Sequence, residues 1–448
     1  MMLAWRGLWI LLFTVVCMRS PNAYAIVING DDGSVNIEAP ADDFGFSNVG
    51  ILNAGSGVYL GNRWVITASH VGPGTITLNG VEYDNVVDET VRLTNENVGS
   101  GLTPSTDLLL MRLEEDPGLP ALRLGCGSVS VNSDVFLVGG GRDRSSERSF
   151  WFREDIAGEK NDIWTLVGDE DDANEIGYFT TASRTVRWGT SRVTANNFEA
   201  DSGSGDVSSF QTDFFEPGPI IEESAQAVRG DSGGGIFQNN GGIWELVGVI
   251  HAVGLKENQP LRTDTAIFGG SSFHAELFDY ADQIRSIADF EPAVGDFDGD
   301  GEITSEEIDR LFDAINRTRS PSCHFDLTGN GTVTHADFDQ LLIAAESIVG
   351  DANLDGDVGF DDFLLMARSF GEENVGWARG DFDGDNAVTF GDFLLLSRNF
   401  GESFAGSSLE ASSSAEVSAV PEPHAGWLLL VGTTGIWLLC GRRRRANS

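Results

Sequence analysis

Positive charge is in short supply in this chain. Against 69 aspartates and glutamates it sets 28 lysines and arginines, a formal net charge of −41 over 448 residues. Such an acidic balance repels phosphates, which argues against a nucleic-acid partner, and it suits divalent cations or a salty extracellular setting. Cysteine is scarce too, with four in all. Cys17 and Cys440 lie in apolar terminal segments, while Cys126 and Cys323 fall in stretches assigned below to different domains. A disulfide framework is therefore not expected, although the compartment reads as oxidising. Helix-dominated patterning is missing from the first two thirds, where glycines (55 in the chain) separate short Val, Ile, Leu and Phe runs. The length also excludes a single core, so two or three domains are expected.

What is present is organised around Arg229-Gly230-Asp231-Ser232-Gly233-Gly234-Gly235. Glycines on both sides of one serine let the backbone approach a substrate and turn its amides toward one point. A serine held there needs a base to become a nucleophile. One histidine lies upstream of it, His70, in Trp64-Val65-Ile66-Thr67-Ala68-Ser69-His70-Val71. Between the two, Asp107 opens the run Asp107-Leu108-Leu109-Leu110-Met111. Asp84 and Asp88 lie in the same interval, and the leucine-rich strand favours Asp107 over them.

This order of motifs resembles the trypsin-like (chymotrypsin-fold) serine proteases over residues 26–290. The resemblance implies a mainly β fold of two six-stranded barrels and a serine-type endopeptidase. His70 would take the proton of Ser232, Asp107 would orient His70, and the amides of Gly230 and Ser232 would form the oxyanion hole. No cofactor is implied for that chemistry. Val71 stands where many animal relatives carry a cysteine, so the chain looks like a bacterial, disulfide-poor member. Gln226, six residues before Ser232, falls where trypsin has its pocket aspartate, and Val253 falls where the family often has a pocket glycine. These two imply small or medium uncharged residues before the scissile bond. His251 takes the place of the usual serine behind the triad, as a supporting partner or as core.

Around that centre the chain divides. Arg6, an apolar run from Gly7 to Cys17 and Ala23-Tyr24-Ala25 form a signal peptide, residues 1–25. Cleavage after Ala25 would expose Ile26, and the resemblance implies that its amino group pairs with Asp231. Val58-Tyr59-Leu60 and Trp64 to Thr67 read as a hairpin, and Val135 to Val138 as a strand entering Gly139-Gly140-Gly141. Residues 142–225 exceed what a minimal second barrel needs, with surface loops expected at Asp169 to Asn174 and Asp201 to Ser208. Phe273 to Ile287 carries helical spacing through Leu277, Tyr280, Ala281 and Ile284.

Residues 291–402 then change character. Asp296, Asp298, Asp300, Gly301, Glu302 and Glu307 satisfy an EF-hand-type calcium loop, oxygen ligands converging around a glycine turn. Three similar loops follow. Asp326, Thr328, Asn330 and Asp337 supply the second, Asp351, Asn353, Asp355, Asp357 and Asp362 the third, and Asp381, Asp383, Asp385 and Asp392 the fourth. Asn386 replaces the turn glycine of the last, which asparagine tolerates. Thr328 makes the second loop the weakest expected binder. Each loop leads into an apolar-periodic helix, and the paired arrangement (291–347 and 348–402) resembles dockerin repeats, which implies a cohesin-like or envelope partner.

Residues 403–419 read as a flexible linker. Val420-Pro421-Glu422-Pro423, the apolar run Ala425 to Gly441 and Arg442 to Arg445 resemble a PEP-CTERM sorting signal over 420–448. That implies transient anchoring by a transmembrane helix, processing by an exosortase and delivery to the envelope or exopolysaccharide of a Gram-negative-type bacterium. The competing reading, from a different class, is a catalytically silent, calcium-dependent scaffold on a protease-like fold.

Overall fold

The structure is a computed structural model. It describes residues 26–30, 34–41, 43–96, 98, 102–155, 162–216, 224–260, 264–316 and 323–405. The signal peptide, most of the linker and the whole sorting tail with its transmembrane helix lie outside these residues. Among the described residues no helix is long and apolar enough to cross a membrane.

After the short β1 (Val27–Ile28), the first sheet comprises β2 (Val49–Leu52), β3 (Gly55–Gly61), β4 (Trp64–Ala68), β5 (Ile76–Leu78), β6 (Val81–Tyr83), β7 (Asn85–Thr94) and β8 (Ser105–Leu113). Their order is β6-β5-β2-β3-β4-β8-β7. Alternation along the central strands explains the sheet. Val58, Leu60, Ile66, Leu108 and Leu110 enter the main core, while Tyr59, Val65, Met111 and Leu113 enter a second cluster on the opposite face. The sheet has seven strands and stays open, where a closed six-stranded barrel was expected. Its edge strands β6 and β7 are largely exposed and do not pair with each other.

The second half does close. β9 (Asp134–Gly139), β13 (Arg187–Asp201), β14 (Asp206–Asp213), β16 (Gly235–Asn240), β17 (Ile243–Gly254) and β19 (Ser271–Glu276) form a six-stranded barrel in the order β13-β14-β19-β17-β16-β9. Much of the described part of 142–225 forms strands, while Asp169 to Asn174 is the exposed turn expected there. β10 (Arg142–Glu154), β11 (Ile163–Val167), β12 (Glu175–Arg184) and β18 (Thr265–Ile267) make a separate four-stranded sheet, and β15 (Ala225–Gln226) pairs with β1. Asp201 and Asp206 to Ser208 also belong to strands, so the expected loop shrinks to a hairpin tip. The helical spacing from Phe273 misleads at its start. Phe273 and Ala275 pair with β14 and β17 to close the barrel, and α1 runs only over Ala281–Ile287.

The C-terminal helices α2 (Ser305–Asn316), α3 (His335–Ala344), α4 (Phe360–Ser369) and α5 (Phe390–Asn399) share one core. Phe312 stacks on Phe338 at 4.6 Å. The fully buried Trp377 donates its indole N–H to Asp351 O at 2.7 Å, and its amide donates to the Asp309 carboxylate on α2. The two repeat pairs are thereby sewn together. Ile243 of the barrel joins the same core.

One expectation is overturned here. Cys126 and Cys323 are bonded, with Cα atoms 6.3 Å apart across 197 positions of sequence. The segment before Cys126 lies along β17 through Leu124 and Leu246. The turn Cys323–Phe325 sits against it, with Phe325 in the repeat core and a ring nitrogen of His324 3.1 Å from Leu124 O. Packing of the repeats on the barrel brings together two residues that linear distance separates.

Candidate active site

Three elements converge where the open sheet meets the barrel. His70 follows β4, Asp107 lies on β8, and Ser232 precedes β16. Pairing of β4 with β8 continues past Ala68, as the Ser69 amide donates to Asp107 O at 3.0 Å. That register carries His70 over the Asp107 side chain. His70 Nδ1 lies 2.7 Å from Asp107 Oδ2, and Oδ1 accepts from the His70 amide at 3.0 Å and Ser69 Oγ at 2.8 Å. A carboxylate accepts only, so Nδ1 carries the proton and Nε2 is left free as a base. Asp107 is fully buried. Burial alone would raise its pKa, but the bonds from His70, Ser202 and Ser69 hold it below the ordinary carboxylate value.

Ser202 is the contributor that sequence reasoning missed. It sits at the tip of the β13–β14 hairpin and donates its hydroxyl to Asp107 Oδ2 at 2.5 Å. Nothing local in Asp201 to Ser208 signals this, because the contact spans 95 positions. His251, in the expected supporting place, turns elsewhere. It is buried with Nε2 3.0 Å from Ser209 Oγ, and Nδ1 has no hydrogen-bond partner among the described residues. Burial pushes its pKa down to about 4, so it is neutral there.

Ser232 is half-buried, and its carbonyl accepts from the Ser56 amide at 2.7 Å. A Cβ added to Gly55 would lie 2.8 Å from Ser232 O and 2.4 Å from the Val71 side chain, so the serine and the histidine turn flank one glycine. Among the described residues no hydrogen bond joins Ser232 Oγ to His70. Such contacts are commonly long before substrate binds. Gly230 and Gly233 have φ of 100° and 88°. At Gly233 a Cβ would stand 2.0 Å from Ser56 O, so a side chain is excluded. The amides of Gly230 and Ser232 donate to no group among the described residues.

Asp231 is buried beneath this loop. It accepts from the Gly141 amide at 2.7 Å and the Val228 amide at 2.8 Å, and from the backbone nitrogen of Ile26. Burial raises its pKa to about 6 against those bonds. Ile26 is itself buried and holds φ of 31°, an outlier for a β-branched residue. Gln226 pairs with Val27, is 3% exposed, and its Oε1 has no hydrogen-bond partner among the described residues. Val253 packs beside the cluster that holds Ala225 and Ala227, opposite Ser272. Gln226 and Val253 therefore border one strand, since Ser272 Oγ also accepts from the Ala227 amide.

In the repeats, ligand oxygens of Asp296, Asp298 and Asp300 lie within 4.8 Å of one another, as do those of Asp381, Asp383 and Asp385. Glu307 is 1% exposed, and its Oε1 is buried without a hydrogen-bond partner among the described residues, an oxygen suited to a hard cation. In the second loop Thr328 Oγ1 instead donates to Asp326 and Asp337. Asp337, Asp362 and Asp392 accept helix-start amides, including those of Thr334, Gly359 and Thr389. The Glu302 and Asp357 side chains are exposed, at a position where such loops use the carbonyl.

Residues 55–249 match the family model of the trypsin-like peptidase domain, a span containing His70, Asp107 and Ser232. Among solved structures, similar ones include the Rv3671c protease of M. tuberculosis in an inactive form, at 13% identity and TM-score 0.32, covering 56% of this chain and 94% of that one. Human heparin binding protein is another, at 15% identity and TM-score 0.35, covering 58% and 98%. A search of curated proteins returns no match. The chain carries a trypsin-like peptidase domain.

Proposed function

We propose that this chain is an exported serine endopeptidase whose triad is His70, Asp107 and Ser232. The observation that carries the reading is the 2.7 Å contact of His70 Nδ1 with a fully buried Asp107, inside the matched domain and beside the glycine-flanked Ser232. His70 Nε2 takes the hydroxyl proton as Ser232 attacks the scissile carbonyl, then delivers it to the leaving amine. The free amides of Gly230 and Ser232 receive the developing oxyanion. An acyl-enzyme forms on Ser232, and water attacks it with His70 again as base. Gln226 and Val253 favour small or medium uncharged residues before the cut.

Maturation after Ala25 belongs to the same reading. The Ile26 dihedral exists only while a residue precedes it, so cleavage relieves that strain and gives Asp231 an ammonium partner. Calcium, held by Asp296, Asp298, Asp300 and Glu307 and by the matching residues of the later loops, would supply charge neutralisation and rigidity to the repeats. The tail would direct the protein to the cell envelope. The deciding experiment is fluorophosphonate labelling together with a chromogenic peptide panel. Labelling lost in Ser232→Ala, with cleavage after Ala or Val faster than after Arg, is the expected result. An unlabelled parent chain favours the scaffold reading.

A further inference from the structure

We propose that Arg184, outside the triad, is the positioning residue that holds the oxyanion-donating loop in its working shape. The inference rests on the serine-protease function proposed above. Arg184 ends β12, so the added four-stranded sheet delivers it to the edge of the nucleophile loop. Its Nε donates to Gly140 O at 2.8 Å and its Nη1 to Asn53 O at 2.8 Å. Its Nη2 donates to Gly55 O and, at 3.2 Å, to Gly230 O. All four acceptors are main-chain carbonyls. They come from the turn into β3 and its first residue, the glycine turn after β9 and the nucleophile loop, three segments otherwise remote in sequence.

A guanidinium suits this task because its donors sit in one rigid plane, where an ammonium is a single point charge. Gly230 has further ties. Ser56 Oγ donates to Gly230 O at 2.9 Å while accepting from the Gly140 amide at 2.9 Å. The Arg142 amide donates to Arg229 O at 3.0 Å. Across a trans peptide the carbonyl and the next amide point opposite ways, so anchoring Arg229 O aims the Gly230 amide away from that bond. Anchoring Gly230 O fixes the next peptide plane as well. Gly230 lacks a side chain where a Cβ would stand 3.3 Å from Arg184 Nε, which lets the guanidinium sit against the loop. Burial holds the Arg184 pKa below its ordinary value, and the nearby Asp231 and Asp143 oppose that shift. The loop is therefore shaped from two sides, by the Ile26–Asp231 contact and by Arg184.

The test compares the full chain with its Arg184→Met and Arg184→Lys variants by steady-state kinetics, Ser232 labelling rate and thermal melting. Arg184→Met should lower kcat about 100-fold, the scale of losing one oxyanion donor, with KM changed less than about threefold. Arg184→Lys should fall between, since one ammonium cannot reach all four carbonyls. If Arg184→Met fails to fold, the kcat and KM of Arg184→Lys decide. A kcat within about threefold of the parent, or kcat falling only in step with the folded fraction, overturns the inference while the protease reading stands. A parent that neither labels nor hydrolyses overturns both.

Discussion

Asp107 is the residue on which the site turns, because four donors meet a carboxylate that has no access to water. His70 and its amide, Ser69 and Ser202 provide them. A hydrogen bond to a charged group contributes about 1.5–3 kcal/mol. Ser202→Ala should therefore lower kcat roughly ten- to a hundredfold with little change in KM, measured on any peptide the parent cleaves. Unchanged kcat would show that three donors suffice. His70, Asp107 and Ser232 were legible as motifs, since each sits in a distinctive local stretch. Ser202 and Arg184 were not, because a serine in a polar turn and an arginine at a strand end carry no local mark.

At the scale of elements, short apolar runs bounded by turn residues placed the strands around Val58, Trp64 and Val135, and the sequence pattern failed where the partner rather than the residues set the outcome. Phe273 to Glu276 reads as helical, yet the barrel needs a sixth strand there and takes it. The proposed calcium loops rest on oxygens recurring at alternate positions, a pattern that needs no tertiary context. Among them the first loop alone ends on a glutamate, whose Oε1 is buried and unpaired among the described residues. Glu307→Gln should remove one site from a calorimetric calcium titration, or weaken it at least about tenfold, and leave the other loops unaltered. An unchanged isotherm would count against calcium at that loop.

At the scale of the molecule, the buried Asp231 carboxylate meets the backbone nitrogen of Ile26 beneath the nucleophile loop. Asp231 gives this a pH signature. An unfolded aspartate titrates near about 3.9, and burial lifts Asp231 to about 6. Below about pH 3 both states hold the proton. As pH rises through about 4 to 6 the unfolded chain ionises first, so stability is lost by about 2–3 kcal/mol and then levels off. Under the proposed cleavage, a free ammonium at Ile26 would offset that loss. A chain starting at Ile26 should thus melt higher than one retaining residues ahead of it at pH 7, with the gap closing toward pH 4. A gap independent of pH would refute the pairing. The Cys126–Cys323 bond ties the repeats to the barrel in the same way, across an interface that includes His324 and Leu124.

The sequence alone determined the chemistry-bearing stretches. A nucleophile loop needs glycines, a calcium loop needs alternate oxygens and a buried strand needs apolar alternation, and each demand is met within about a dozen neighbouring residues. Tertiary structure alone decided which distant groups serve them. It brought Ser202 to Asp107, Arg184 to Gly230 and Cys126 to Cys323, because hydrogen bonds and disulfides depend on distance in space, and that distance is set by how whole sheets pack.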